Sequence, residues 1–148
     1  KQEKTMPLTN FGSILKFAED LEAQDLSFYS AAAENPACAA HHELLQQFAA
    51  DLRKNQKLIQ RIRRENVTEM ILEPVQGLTR SEFTLEVGPN RELDAAGVLD
   101  EARSRESRAE RYYLKAAEQI KSQAEVARGL KQIAKKRAAH LKHLHEMD

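Results

Sequence analysis

"EAQDLSFY" (residues 22–29) and its echo "ESRAERYY" (residues 106–113) decide how this chain is read. Each places a Glu and a Tyr seven positions apart, two turns of a helix, so that both fall on one stripe. In the first copy the stripe runs Ile14, Ala18, Glu22, Asp25, Tyr29, Ala32; in the second, Leu99, Ala102, Glu106, Ala109, Tyr113, Ala116. Apolar and small residues surround the acids and phenols, so the spacing predicts helices that turn carboxylates toward a packed interior.

The two copies stand eighty-four positions apart, and the same offset pairs Leu15 with Leu99, Ala18 with Ala102, "AAE" at 32–34 with "AAE" at 116–118, Ala50 with Ala134 and Arg53 with Arg137. An ungapped internal repeat of this length predicts a duplicated helical hairpin.

Punctuation agrees. The four prolines, at 7, 36, 74 and 89, all fall between segments of helical period. The pattern predicts a first helix from about Phe11 to Glu34, with Thr9 or Asn10 as N-cap. A second starts near Pro36, tolerated in a first turn, and runs to about Glu65. The third covers about Asp94 to Lys121, and the fourth starts at Ser122, where Ser122 and Glu125 form a capping box. Short joints around "ENPA" and "IKS" make each pair an antiparallel hairpin. The connection at about 66–93 is longer than compact domains use for adjacent elements, and it can cross the height of a bundle. That reading predicts one all-α domain over 1–148, a four-helix bundle of two hairpins (about 11–65 and 94–148) joined by one long crossover, with the first and third helices parallel. "SEFTLEV" within the crossover has an extended character.

The second and fourth helices bring further polar groups to the seam. In the second, Leu45, Phe48, Leu52, Arg53, Gln56 and Ile59 are read as inward; in the fourth, Leu130, Ile133, Ala134, Arg137, His140 and Leu144. The centre then collects Glu22, Asp25, Tyr29, Arg53, Gln56, Glu106, Tyr113, Arg137 and His140. Unpaired buried charges in that number would exceed the ~5–15 kcal/mol that holds a domain together, so these groups must meet one another or a ligand.

A Glu followed seven residues later by Tyr in the first and third helices, inward i, i+3 polar pairs in the second and fourth, duplication and one long crossover resemble the rubrerythrin branch of the ferritin-like superfamily. The resemblance covers nearly the whole chain. It implies a ferritin-like bundle in which each hairpin gives one Glu from its first helix and an ExxH pair from its second, six ligands that hold two iron atoms for peroxide or oxygen chemistry. Glu22 and Glu106 match the first-helix carboxylates, Tyr29 and Tyr113 the accompanying tyrosines, and His140 one histidine. The ExxH segments instead read "RKNQ" and "RAAH": Arg53 and Arg137 stand for two Glu, and Gln56 for a His. Guanidinium is permanently charged and has no lone pair for iron. The expectation is a metal-free site, with no cofactor, in which Arg53 and Arg137 hold Glu22 and Glu106 in charge-assisted hydrogen bonds. Asp25 is expected to bind Arg53 or Tyr113.

Function follows in three readings. The leading one is a metal-free rubrerythrin-like bundle kept as an interaction or regulatory module, pairing through helix faces as a homodimer by resemblance. The second is an iron-dependent oxidoreductase with an altered site, in which Glu22, Asp25, Glu106 and His140 hold metal; the chain lacks the CxxC pairs of an electron-delivering rubredoxin module. The third is a binder of a small anionic ligand gripped by the arginines.

Composition narrows the rest. Lys+Arg and Asp+Glu are each 23, so no global field attracts nucleic acid or an anionic membrane, and basic runs such as "RIRREN" at 61–66 read as solvated helix faces. The lone Cys38 excludes an intrachain disulfide and points to a reducing, cytoplasmic setting, and its small apolar neighbours make it a packed thiol. No run reaches the ~18 apolar residues of a membrane span, and the first ten residues lack the apolar core of a secretory signal. His143, His145 and Glu146 in the tail and His41–His42 at the second helix are read as solvated sets at opposite ends of the bundle.

Overall fold

The computed structural model describes residues 11–70, 94–121 and 123–147. Four helices pack together: α1 (Phe11–Ala33), α2 (His42–Met70), α3 (Ala95–Gln119) and α4 (Ala124–Glu146), with no strand among the described residues. Thr9, Asn10 and the "SEFTLEV" segment lie outside these residues.

The joints follow from local chemistry. Asn35 ends α1, and its side-chain oxygen accepts from the Ala37 N–H at 2.9 Å, opening a 3₁₀ turn over Pro36–His41. Pro36 sits in the first turn, where its missing donor costs nothing. The His42 ring then donates from Nδ1 to the Ala33 carbonyl at 2.7 Å and ties the start of α2 to the end of α1. Asp94 caps α3 by accepting from Gly97 N–H at 2.8 Å. At α4 the N-cap position is Gln123, which makes no side-chain cap bond, so the helix does not start on the expected capping box; Ser122 itself is outside the described residues.

Contacts fix the directions. Glu19 meets Arg63 and Glu22 meets Asn55, so α1 and α2 run antiparallel; Arg103 meets Leu144 and Glu106 meets Arg137, so α3 and α4 do too. Tyr112 donates to the Ile14 carbonyl at 2.7 Å, while Tyr29 near the end of α1 reaches Glu106 in the first half of α3. α1 and α3 are therefore antiparallel, which corrects the parallel arrangement expected from sequence. The reason is geometric: α2 brings the chain back to the end where α1 began, and α3 starts at the opposite end, level with the end of α1. The same geometry places His42 and His143 at one end of the bundle, with His143 edge-on to Phe48 of α2, and not at opposite ends.

Two apolar clusters form the core. One gathers Ile14, Leu15, Ile59, Ile62, Tyr112, Ile120, Val126 and Leu130 at the end where α1 begins. The other gathers Phe28, Ala32, Leu45, Phe48, Val98 and Leu144 at the other end. At the first, α2 and α4 approach closely at Gly129, where a Cβ would stand 2.6 Å from Ile62 Cδ1. A layer of buried polar side chains separates the clusters.

Candidate functional site

Arg137 is the hub of that layer. It projects from α4 with no exposed surface, and its guanidinium reaches carboxylates on two other helices. Nη1 donates to Glu106 Oε2 at 3.2 Å, Nη2 donates to Asp25 Oδ2 in a very short contact, and Nε lies 3.5 Å from Glu22 Oε2. Burial alone would lower the pKa of this group; Glu106, Glu22 and Asp25 outweigh it and hold Arg137 well above its ordinary value. The cation is fixed.

Around it the repeated Glu and Tyr exchange partners. Tyr29 donates to Glu106, and Tyr113 donates to Glu22 at 2.7 Å, so each copy's phenol caps the other copy's acid across α1 and α3. Burial, then the adjacent glutamate, pushes both phenols far above their usual range. Glu22 is also raised, chiefly by burial; Arg137, the Tyr113 hydroxyl and Asn55 offset part of this, and Asp25 adds to it.

Asp25 is not held by Arg53 or Tyr113. Its Oδ1 accepts from Arg105 Nη1 at 2.8 Å and Arg108 Nη2 at 2.6 Å, and Arg137 takes the other oxygen. One carboxylate thus faces three guanidinium groups. Desolvation lowers Arg108, Asp25 partly restores it, and Arg137 and Arg105 add to the lowering. Arg105 also stacks over the Phe28 ring at 4.8 Å.

His140 closes the layer toward α2. Nδ1 lies 3.3 Å from Glu106 Oε2 and Nε2 lies 2.8 Å from Asp51 Oδ2, while Phe48 stacks on the ring at 3.8 Å and 11°. A neutral imidazole donates from only one nitrogen, so two carboxylate partners call for a second proton, on the ring or on an acid. The layer holds four carboxylates (Glu22, Asp25, Asp51, Glu106) against three guanidinium groups (Arg105, Arg108, Arg137). Among the described residues, Glu106 Oε1 is the buried carboxylate oxygen left without a hydrogen bond.

Several expected members are elsewhere. Arg53 is exposed and takes no part; Gln56 is only partly buried, and the residue that enters the layer is Asn55, whose Nδ2 donates to Glu22 Oε1 at 3.2 Å. Six buried residues of α2 (Leu45, Phe48, Ala49, Leu52, Asn55, Ile59) match six of α4 (Leu130, Ile133, Ala134, Arg137, His140, Leu144) at an offset of 85, not 84. The second hairpin is one residue out of step with the first. One residue turns a helix by about 100°, enough to move Arg53 from the seam to solvent. Leu52 and Asn55 therefore stand where Arg53 and Gln56 were expected.

Arg105, Arg108, Asp51 and Asn55 were missed. Arg105 lies three past Ala102 and four before Ala109, and Arg108 four before Tyr112, which is helical core spacing; charge alone kept them off the inward list. Cys38 is buried, and burial with nearby Asp94 pushes its thiol up, as a packed thiol requires. His143 and His145 are exposed, and among the described residues no three His, Cys, Asp or Glu side chains are placed to hold a metal ion. Nor, among those residues, is any helix long and apolar enough to cross a membrane. Compared with known proteins, the chain matches no family model, no curated sequence and no solved structure.

Proposed function

We propose that the chain is a metal-free, ferritin-like bundle of the rubrerythrin type, two hairpins joined by a long crossover, that serves as an interaction or regulatory module. The observation that carries this reading is the seat of Arg137, between Glu22, Asp25 and Glu106. The resemblance implies two irons, and the residues present do not fit them. Of the six ligand positions only Glu22, Glu106 and His140 keep a ligand type, while Leu52, Asn55 and Arg137 hold the rest. Guanidinium groups at hydrogen-bond distance already neutralise the acids that would receive metal. A network of this kind fixes helix register and leaves the outer helix faces for recognition; pairing of two copies through such faces is part of the proposal.

Elemental analysis of protein purified anaerobically from iron-replete cells tests the central part. Far less than one iron per chain is expected, and about two, the complement of the resembled site, would overturn the reading. Sedimentation at micromolar concentration tests the pairing: a dimer is expected, and a strict monomer contradicts it.

A further inference from the structure

The chain is neutral as a whole, but folding sorts its charge. α2 carries no acid between Asp51 and Glu65, a window holding six Lys and Arg; α4 carries none between Glu125 and Glu146. These two windows lie side by side. Asp51 meets His140 at one end, and further along Leu58, Arg61 and Glu65 share a groove with Glu125, Arg128 and Gln132. Lys54, Lys57 and Arg61 on α2 and Arg128, Lys135 and Lys136 on α4 are exposed, and among the described residues none of them makes an ion pair. Arg63, by contrast, is engaged by Glu19. The acid excess among the helices is on α1, where Glu19, Asp20, Glu22 and Asp25 stand against Lys16, while the five acids of α3 are matched by five Lys and Arg.

We infer that the α2–α4 face docks the phosphate backbone of duplex nucleic acid, without reading its sequence. Steps of three and four residues set Lys54, Lys57, Arg61 and Arg64 about 4.5–6 Å apart along the helix, a dense line of cations suited to a charge-dense polymer. What the face lacks selects among anionic partners. Among the described residues the exposed large hydrophobic one is Leu114, on α3, so they offer no apolar wedge on this face for a lipid surface. Among the described residues no aromatic ring is offered to stack bases of a single strand, since Phe17, Phe28, Phe48, Tyr29, Tyr112 and Tyr113 are buried. Protein interfaces are depleted in Lys and rich in aromatic residues, the reverse of this face. Phosphate contacts need only Lys and Arg. The inference does not depend on what occupies the bundle centre.

Anisotropy of a labelled mixed-sequence DNA duplex, titrated with the full chain at about 50 and 200 mM salt, tests it. Micromolar binding that weakens at least a hundredfold between the two is expected. K57Q/R61Q should weaken low-salt binding about tenfold and reduce the salt slope by about 2. The matched pair K16Q/K121Q, on exposed lysines away from the face, should change neither. No saturable binding at low salt, equal losses in both pairs, or preference for phosphatidylserine vesicles over duplex would overturn the assignment.

Discussion

Arg137 balances three buried acids from a single side chain, and its removal leaves Glu22 and Glu106 without a guanidinium, while Asp25 keeps Arg105 and Arg108. Breaking a buried ion pair from one side costs about 3–5 kcal/mol, so Arg137→Met, which keeps the volume and loses the charge, should lower stability by that amount in urea unfolding. A loss under about 1 kcal/mol would show that the acids are neutral without it. Glu22 predicts a pH signature. Its carboxyl holds a proton to higher pH in the folded chain than in the unfolded one, chiefly because it is buried. Its contribution to stability is therefore fully present below the ordinary glutamate value and is lost as pH rises through the folded value. Glu22→Gln removes that loss, so its stability relative to the parent should improve as pH is raised from the ordinary glutamate value toward neutrality. A difference that stays flat across that range would contradict the assignment.

At the scale of the element, the phase of α2 separates what was legible from what was not. The stripes of α1 and α3 were readable because Glu22, Tyr29, Glu106 and Tyr113 repeat at one spacing on stripes otherwise made mostly of apolar residues. α2 offers two adjacent candidates at each position, Leu52–Arg53 and Asn55–Gln56, and the repeat pointed to the wrong one because the hairpins differ by one residue. Sequence alignment does not sense that shift; burial does. Arg105 and Arg108 were hidden differently, since an arginine at core spacing is ordinarily solvated, and here Asp25 on the facing helix draws both inward. The corrected phase predicts that Arg53→Gln changes stability by less than about 0.5 kcal/mol. Asn55→Leu strips a donor from buried Glu22 and should cost about 1–3 kcal/mol. Chemical denaturation of the two variants side by side checks this, and reversed costs would restore the register first read from the repeat.

At the scale of the molecule, a charged layer lies between two apolar clusters, and all four helices contribute to it. An antiparallel α1–α3 pair lets each tyrosine reach the other copy's glutamate, so the duplication is expressed as reciprocal hydrogen bonds. The direction of α3 followed from which end of the bundle it starts at, which the length of the connection left open. Crystals grown anaerobically with excess ferrous salt, measured at the iron edge, test the central claim most directly. The account predicts no anomalous peak at the bundle axis and Arg137 density joined to Asp25 and Glu106; a peak bound by Glu22 and Glu106, with Arg137 displaced, would contradict it.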